Sequence, residues 1–366
     1  MDEHIETVIV GGGQAGLSTA YFLAQQGREY TVFEAAERIG DQWRRQYESL
    51  KLYSPRKYNG LPGLEFPGDP WTFPTRDEVA GYLEAYAVTH GLRVRTHTPV
   101  RRVSRSGDGF LVVVDGGRIT CDNVVAATGL AGRPAVPREA AELRPDIVQL
   151  HSSEYRRPDQ LPPGRVLVVG AAHSGTDIAY ELAESHDVTL CGRDPGQLPF
   201  RPEERKARVL LPFVVFAWRH ILTRRTPVGR KMMKEIRHGG GPMIRIHRED
   251  LAARGVSRNV SRFVGAREGL PRLSDGTVID ARGVVWATGY DLAHRWLDIP
   301  IVGDDGYPRE YRGVAEDVPG LFFCGLPFQF GFGSMVFPGV GRDAEFVARR
   351  ITARITERAK VASIAA

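Results

Sequence analysis

An apolar strand running into a glycine turn and then a helix occurs twice in this 366-residue chain, and in both copies a polar residue closes the next strand 23 residues past the first glycine. Each copy is also matched further on by an apolar strand ending in Ala-Thr-Gly. Together these features predict an α/β fold with two dinucleotide-binding, Rossmann-like domains, one inserted into the other.

The bulk properties accommodate that fold. Apolar residues make up 42% and charged residues 25%, as in ordinary globular proteins, and the length suffices for two domains. The formal charge is +5, with the excess concentrated between Arg201 and Arg248, and no nucleic-acid partner is expected. Cys121, Cys191 and Cys324 are far apart and form neither a C-x-x-C pair nor a ligand cluster, so no metal is expected and a reducing, cytoplasmic compartment fits. The opening MDEHIETVIV carries acids where a secretory leader needs a basic region. The longest apolar run, Val209 to Trp218, is about half of the roughly 20 residues a membrane-spanning helix needs, so a soluble protein is expected.

In the first unit the strand Thr7 to Val10 leads into Gly11, Gly13 and Gly16. Gly11 allows the tight turn, Gly13 lets the backbone approach a pyrophosphate, and Gly16 lets the helix pack on the strand, while the helix N-terminus holds the anion. The next strand, Tyr30 to Phe33, ends at Glu34, placed to accept hydrogen bonds from an adenosine ribose. In the second unit the strand Val166 to Val169 leads into Gly170, Ala172 and Gly175, where Ala172 adds one methyl group beside the expected pyrophosphate. The next strand, Asp187 to Cys191, runs through Gly192 to Arg193. A guanidinium cannot accept hydrogen bonds from a ribose diol but pairs well with a 2′-phosphate, so the second unit is expected to prefer NADPH to NADH.

The Ala-Thr-Gly strands, DNVVAATGL from Asp122 and ARGVVWATGY from Ala281, each follow a stretch of hairpin character. Their spacing predicts a discontinuous first domain, 1–153 and 290–366, interrupted by a second domain at 154–289. The stretch 201–248 departs from the pattern with LLPFVVFAWRHILTRRTP, a basic amphipathic segment and Gly239 to Gly241. It is expected to be helical and to lie over a cleft, packing on the core or making peripheral contact with a membrane surface.

GGGQAGLSTA, EAAERIGDQWR, ATGLAGRPAVP, LHSSEY, VVGAAHSG, WATGY and LFFCGLPFQFGFGS follow one another in an order that resembles the flavin-containing monooxygenases and their bacterial relatives, among the flavoproteins with two dinucleotide domains. The resemblance runs nearly end to end. It implies FAD held at its pyrophosphate by Gly11, Gly13, Gln14, Ala15 and Gly16 and at its ribose by Glu34, with Ala35 also among the cofactor-binding residues. Gln42 and Trp43 would lie along the flavin end, Val100 near the adenine, and Ala127, Thr128 and Gly129 beside the isoalloxazine or pyrophosphate. Gly325 would approach the ring, and a helix beginning near Gly341 and Asp343 would direct its positive end toward the flavin. Gly170, His173, Ser174, Gly175 and Arg193 would hold NADPH, and Ala172, Ala287, Thr288 and Gly289 are also expected to bind cofactor.

The activity implied is NADPH-dependent reduction of FAD, followed by oxygenation of a small lipophilic substrate at N or S through a C4a-hydroperoxyflavin, with dioxygen as co-substrate. Carbonyl oxygenation of the Baeyer-Villiger type, electron transfer to a non-oxygen acceptor, and a redox-sensing flavoprotein are the alternatives. Ser54 and Gln329 are the candidate catalytic hydrogen-bonding residues. His151 matches the end of a family signature whose phenylalanine and glycine are replaced by Pro145 and Ile147, and it is expected to be structural. Tyr155, four residues on, matches the N- and S-oxygenating members. Near Tyr53 and Ser54 the asparagine that many members place beside the flavin is missing, with Asn59 several residues away.

Overall fold

The computed structural model describes residues 3–129, 132–239, 241–291 and 294–365; Leu130 and Ala131 of the ATGLAGRPAVP segment and Gly240 of the glycine run lie outside them. The strand Glu3–Val10 is the centre of the first sheet, its β-branched Ile5, Val8, Ile9 and Val10 all buried. It pairs in parallel with Tyr30–Phe33 on one side and Gly117–Ala126 on the other. Among the described residues this sheet has nine strands. Leu321–Phe323 returns from the C-terminal part of the chain to pair in parallel with Gly117–Ala126. The second sheet has five parallel strands, in the order Ser257–Asn259, Asp187–Cys191, Arg165–Val169, Gly283–Trp286, Val148–His151. Continuous burial along Tyr30–Phe33 and Gly283–Trp286 is what a parallel sheet covered on both faces requires.

Helices α1 (Gln14–Gln25), α2 (Asp41–Arg44) and α3 (Arg76–Thr89) follow in the first unit, then α4 (His173–Leu182), α5 (Ala207–Phe216), α6 (Pro227–Gly239), α7 (Arg248–Ala253) and the C-terminal α8 (Phe337–Ala365). Thr75 and Glu78 form a reciprocal capping box that starts α3. Leu17 and Leu23 of α1, Val79 and Leu83 of α3, and Val347 and Ile351 of α8 share one buried cluster against the sheet. The last helix starts at Phe337, earlier than the expected beginning near Gly341 and Asp343. Its proline, Pro338, sits in the first turn, where no amide donor is missed.

In the crossover between the sheets, Val148–His151 pairs in parallel with Gly283–Trp286 of the second sheet. It is an edge strand, exposed at Val148 and Gln149, and so lacks the apolar run that would assign it to a sheet from sequence. His151 secures this crossover. Its Nε2 donates to the Gly289 carbonyl at 2.9 Å while Nδ1 accepts from the Ser153 amide at 3.1 Å, an arrangement that one neutral tautomer satisfies. Burial lowers its pKa. A second tie is the Tyr47 hydroxyl, after α2, which donates to Asp177 Oδ2 of α4 at 2.9 Å.

The 201–248 stretch rests on the body through one side of α5, where Ala207, Leu211 and Val215 are buried, and through a buried ion cluster. Glu310, with a fully buried side chain, accepts from Arg224 Nη1 and the Gly313 amide, both at 2.7 Å, and faces Arg237 Nη2 at 3.4 Å. Arg224 also donates to the Gln329 carbonyl at 3.0 Å, so this stretch is joined to the loop before α8. Removing one partner of such a cluster leaves buried charges uncompensated. Glu310→Ala is expected to lower stability by about 3 kcal/mol, with a smaller loss for Glu310→Gln, read from urea unfolding by circular dichroism.

Burial raises the Asp177 carboxyl pKa to about 6 against the opposing pull of Arg245. Neutral Asp177 is therefore the form the fold favours: its contribution is complete below the ordinary carboxylate range and is lost as pH rises through about 6. Asp177→Asn is expected to raise the melting temperature at neutral pH, with the gain vanishing on acidification to about pH 4.

Candidate functional site

A cavity of about 480 Å³ opens where the glycine turn after Glu3–Val10 meets the ends of the neighbouring parallel strands. Ligands bind at this kind of position in open parallel sheets. The turn is built by two close approaches. Gly11 has φ +109°, and a Cβ there would stand 2.5 Å from the Ala127 carbonyl oxygen; a Cβ on Gly16 would stand 1.9 Å from the Gly11 carbonyl oxygen. Gly13 has no neighbour within 4 Å of where its Cβ would be, so its side faces open space. Helix α1 has neither a side-chain cap nor an acidic residue in its first turn, which leaves its leading amides available to an anion.

Glu34 is held at the cavity wall by the Gly12 amide at 2.7 Å and the Ala36 amide at 2.8 Å, one to each carboxylate oxygen. Each oxygen keeps a second lone pair for a ligand hydroxyl. Of the residues predicted for this site, Gly11, Gly13, Gln14, Ala15, Glu34, Ala35, Gln42, Trp43, Val100, Ala127, Thr128, Gly129 and Gly325 all line the cavity. Gly16 does not, because it lies beneath the turn, where it permits the packing that forms it. Trp43 is half-buried, its ring 6.1 Å from that of Phe337 at the start of α8.

The wall also contains residues that the sequence reading passed over. Gln46 lies one helical turn past Gln42 and donates to its carbonyl at 3.2 Å, a periodicity that could have found it. His294 and Trp296 arrive from the C-terminal part of the chain with no local motif to mark them. His294 is buried, its pKa lowered by that burial, and its Nε2 has no hydrogen-bond partner. An orphaned ring nitrogen in a cavity wall suits a polar ligand.

Three predicted residues stand away from the wall. Ser54 donates from Oγ to Asn59 Oδ1 at 2.6 Å and accepts at its carbonyl from Asn59 Nδ2 at 2.8 Å, so the pair closes its own loop and Asn59 is fully buried. Gln329 is also fully buried, its Oε1 accepting from the Leu326 amide at 3.3 Å. Asp343 is buried in α8, with Arg342 Nε 3.6 Å from its Oδ1, and burial raises its pKa. Ser54 thus braces its loop, and Gln329 does so through Oε1, while its Nε2 is buried without a hydrogen-bond partner.

The second glycine turn repeats the geometry of the first. A Cβ on Gly170 would meet the Ala287 carbonyl oxygen at 2.3 Å, and one on Gly175 the Gly170 carbonyl oxygen at 1.7 Å. Ala172 caps α4 with φ −80° and ψ −171°, against −82° and −174° at Gly13, so this position needs no glycine for its backbone. Helix α4 likewise starts without a side-chain cap or an acid in its first turn. Arg193 is exposed just past the second sheet, beyond Gly192, whose carbonyl accepts from Arg258 Nη2 at 2.6 Å.

His173 is committed elsewhere: Nε2 donates to the Pro242 carbonyl at 2.6 Å and the ring lies 5.0 Å from that of Tyr53. Thr288 donates to the Ala135 carbonyl at 2.6 Å and Gly289 accepts from His151, so this Ala-Thr-Gly end holds the crossover, whereas Ala127 to Gly129 line the cavity. Tyr155 is fully buried and donates to Glu181 Oε2 at 2.8 Å, which makes it a core residue.

The profile of the pyridine nucleotide-disulphide oxidoreductase family matches residues 8–214. The chain is 34% identical over 349 residues to an uncharacterized CzcO-like oxidoreductase of Geobacillus kaustophilus, over 95% of this chain and 98% of that one. It is 28% identical to a flavin-containing monooxygenase from Stenotrophomonas maltophilia, whose structure superposes with a TM-score of 0.77 over 96% of this chain and 99% of that one. At 16% identity, the structure of OTEMO in complex with FAD and NADP shares the fold, with a TM-score of 0.68 over 98% of this chain and 87% of that one. The chain is therefore an oxidoreductase that belongs to the pyridine nucleotide-disulphide oxidoreductase family and shares the fold of the flavin-containing monooxygenase from Stenotrophomonas maltophilia.

Proposed function

We propose that the protein is an NADPH-dependent monooxygenase that holds FAD at the first glycine turn and NADPH at the second, and oxygenates a small lipophilic substrate at N or S. The carrying observation is the cavity at Gly13: an uncapped helix end, an open glycine face and a fixed carboxylate, Glu34, share one wall. The leading amides of α1 suit the pyrophosphate of FAD, and Glu34 suits its ribose hydroxyls. The same backbone at Ala172 to Gly175, with Arg193 beyond the next strand, suits NADPH. Under this reading each sheet marks one domain, and the 201–248 stretch belongs to the second.

Bound FAD supplies hydride acceptance and dioxygen activation. The chain binds, orients and shields. Its cavity wall offers little acid-base chemistry: Glu34 is held by two amides and His294 is kept neutral by burial. Among the described lining residues there is neither Arg nor Lys. Oxygenation of an amine or sulfide needs no oxyanion stabilisation, whereas carbonyl oxygenation passes through a tetrahedral oxyanion that calls for donors, so the wall favours the soft nucleophile. Thiol-disulfide exchange is disfavoured because Cys121, Cys191 and Cys324 are each buried and free, with thiols pushed up to about 12.

Steady-state kinetics test the second turn: Arg193→Ala is expected to raise KM for NADPH by about tenfold or more while leaving that for NADH nearly unchanged. Equal shifts for both nucleotides would remove the 2′-phosphate assignment. For the reaction itself, the FAD-loaded enzyme is mixed with NADPH, air and a thioether, and sulfoxide is measured against hydrogen peroxide. Sulfoxide in proportion to NADPH consumed is expected. Peroxide alone, with a panel of amines and thioethers left unchanged, points instead to an oxidase.

A further inference from the structure

Helix α5 and the π-turn Ala217–Ile221 that continues it form one rod on the outside of the 201–248 stretch. The rod reads ARVLLPFVVFAWRHI, with a single charge in its first eleven residues. One face is accounted for by the buried Ala207, Leu211 and Val215. Among the described residues, none covers a second apolar face. Val209, Phe213 and Phe216 recur at helical spacing and are 66%, 68% and 56% exposed, and Ile221 beyond them is 47% exposed. Single exposed apolar residues need no explanation, but a row in register with two phenylalanines does. A helix apolar on all sides belongs in a core or in lipid.

The surroundings of this face are basic. Arg205, Lys206 and Arg208 at its start and Arg219 near its end are exposed, and residues 201–248 hold 13 Lys and Arg against 3 Asp and Glu. We infer that the exposed face of α5 docks on an anionic lipid surface, with Val209, Phe213 and Phe216 entering the boundary between headgroups and acyl chains and the basic rim meeting the phosphates. Charge argues against a second copy of the chain as the occupant, since a two-fold contact would set one basic rim against the other. The residue after the rod is tied to the loop before α8: the Phe332 amide donates to the Leu222 carbonyl at 2.9 Å, and Met335, in the same loop, lines the cavity. Docking therefore places the membrane one loop away from the cavity wall. It does not depend on the oxygenation proposed above.

Co-sedimentation of the full-length, FAD-loaded protein tests this, using vesicles of equal parts phosphatidylglycerol and phosphatidylcholine beside vesicles of phosphatidylcholine alone. Binding to the anionic vesicles is expected, with weak binding to the neutral ones and a marked decrease at about 0.5 M salt. The double substitution Phe213→Ser, Phe216→Ser is expected to reduce binding about tenfold or more, while Phe213→Trp retains it. Bound FAD and the melting temperature monitor folding of each variant, and exposed positions should leave both unchanged. No binding to anionic vesicles overturns the inference, as does binding that the double substitution leaves intact. A dimer in sedimentation velocity that Phe213→Ser dissociates, without vesicle binding, assigns the face to a second copy and overturns it too.

Discussion

A methyl group on Gly16 would stand 1.9 Å from the carbonyl oxygen of Gly11, and one on Gly11 would stand 2.5 Å from that of Ala127. These two exclusions bring the start of α1 against the end of the central strand, and the rest of the site depends on that approach. The leading amides of α1 are set at the cavity because the turn is this tight. Glu34 is oriented by the Gly12 amide within the same turn. The second unit repeats both exclusions at Gly175 and Gly170, at 1.7 and 2.3 Å. The repeat also separates the roles of the three glycines. Ala172 shares the backbone angles of Gly13, so the first and third positions are demanded by packing, whereas the middle one governs only how near a ligand can come.

Around these turns the chain contributes position more than chemistry. The polar side chains most easily imagined as catalytic, Ser54, Gln329 and Asp343, do not line the cavity: Ser54 pairs with Asn59, and Gln329 and Asp343 are buried in the interior. What remains at the wall is a fixed carboxylate, a neutral histidine, amide side chains and apolar surface. Such a wall suits a cofactor that performs the difficult steps itself. The units are held in register by a small set of polar ties: His151 to Gly289, Tyr47 to Asp177, and the Glu310 cluster that anchors the 201–248 stretch. Each lies at least partly buried, where a satisfied hydrogen bond specifies geometry strongly and a broken one is costly.

The α5 rod shows the same chain meeting two demands at once. Its inner residues, Ala207, Leu211 and Val215, pack on the body, while Val209, Phe213 and Phe216 remain outward. Periodicity alone cannot separate these faces, because both are apolar. For the same reason core packing and contact with a membrane surface stood as rival expectations for this stretch, although the folded chain can accommodate both.

Legible in the chain alone were the two glycine turns, the acid at Glu34, the arginine at Arg193 and the two apolar strands that run into Ala-Thr-Gly, which end at Ala126 and Trp286. Each of these is constrained within a few residues by a close backbone approach or a strand end, and such constraints leave a fixed spacing in the chain. The tertiary structure alone decided that His294 and Trp296 share a wall with Gly13, that Val148–His151 belongs to the second sheet, and that the second Ala-Thr-Gly end braces a crossover. It also decided that Ser54 pairs with Asn59 and that Gln329 is fully buried, both apart from the cavity lining. Those outcomes depend on contacts between segments far apart in the chain, where burial and the satisfaction of each polar atom choose the partner, and no local spacing records that choice.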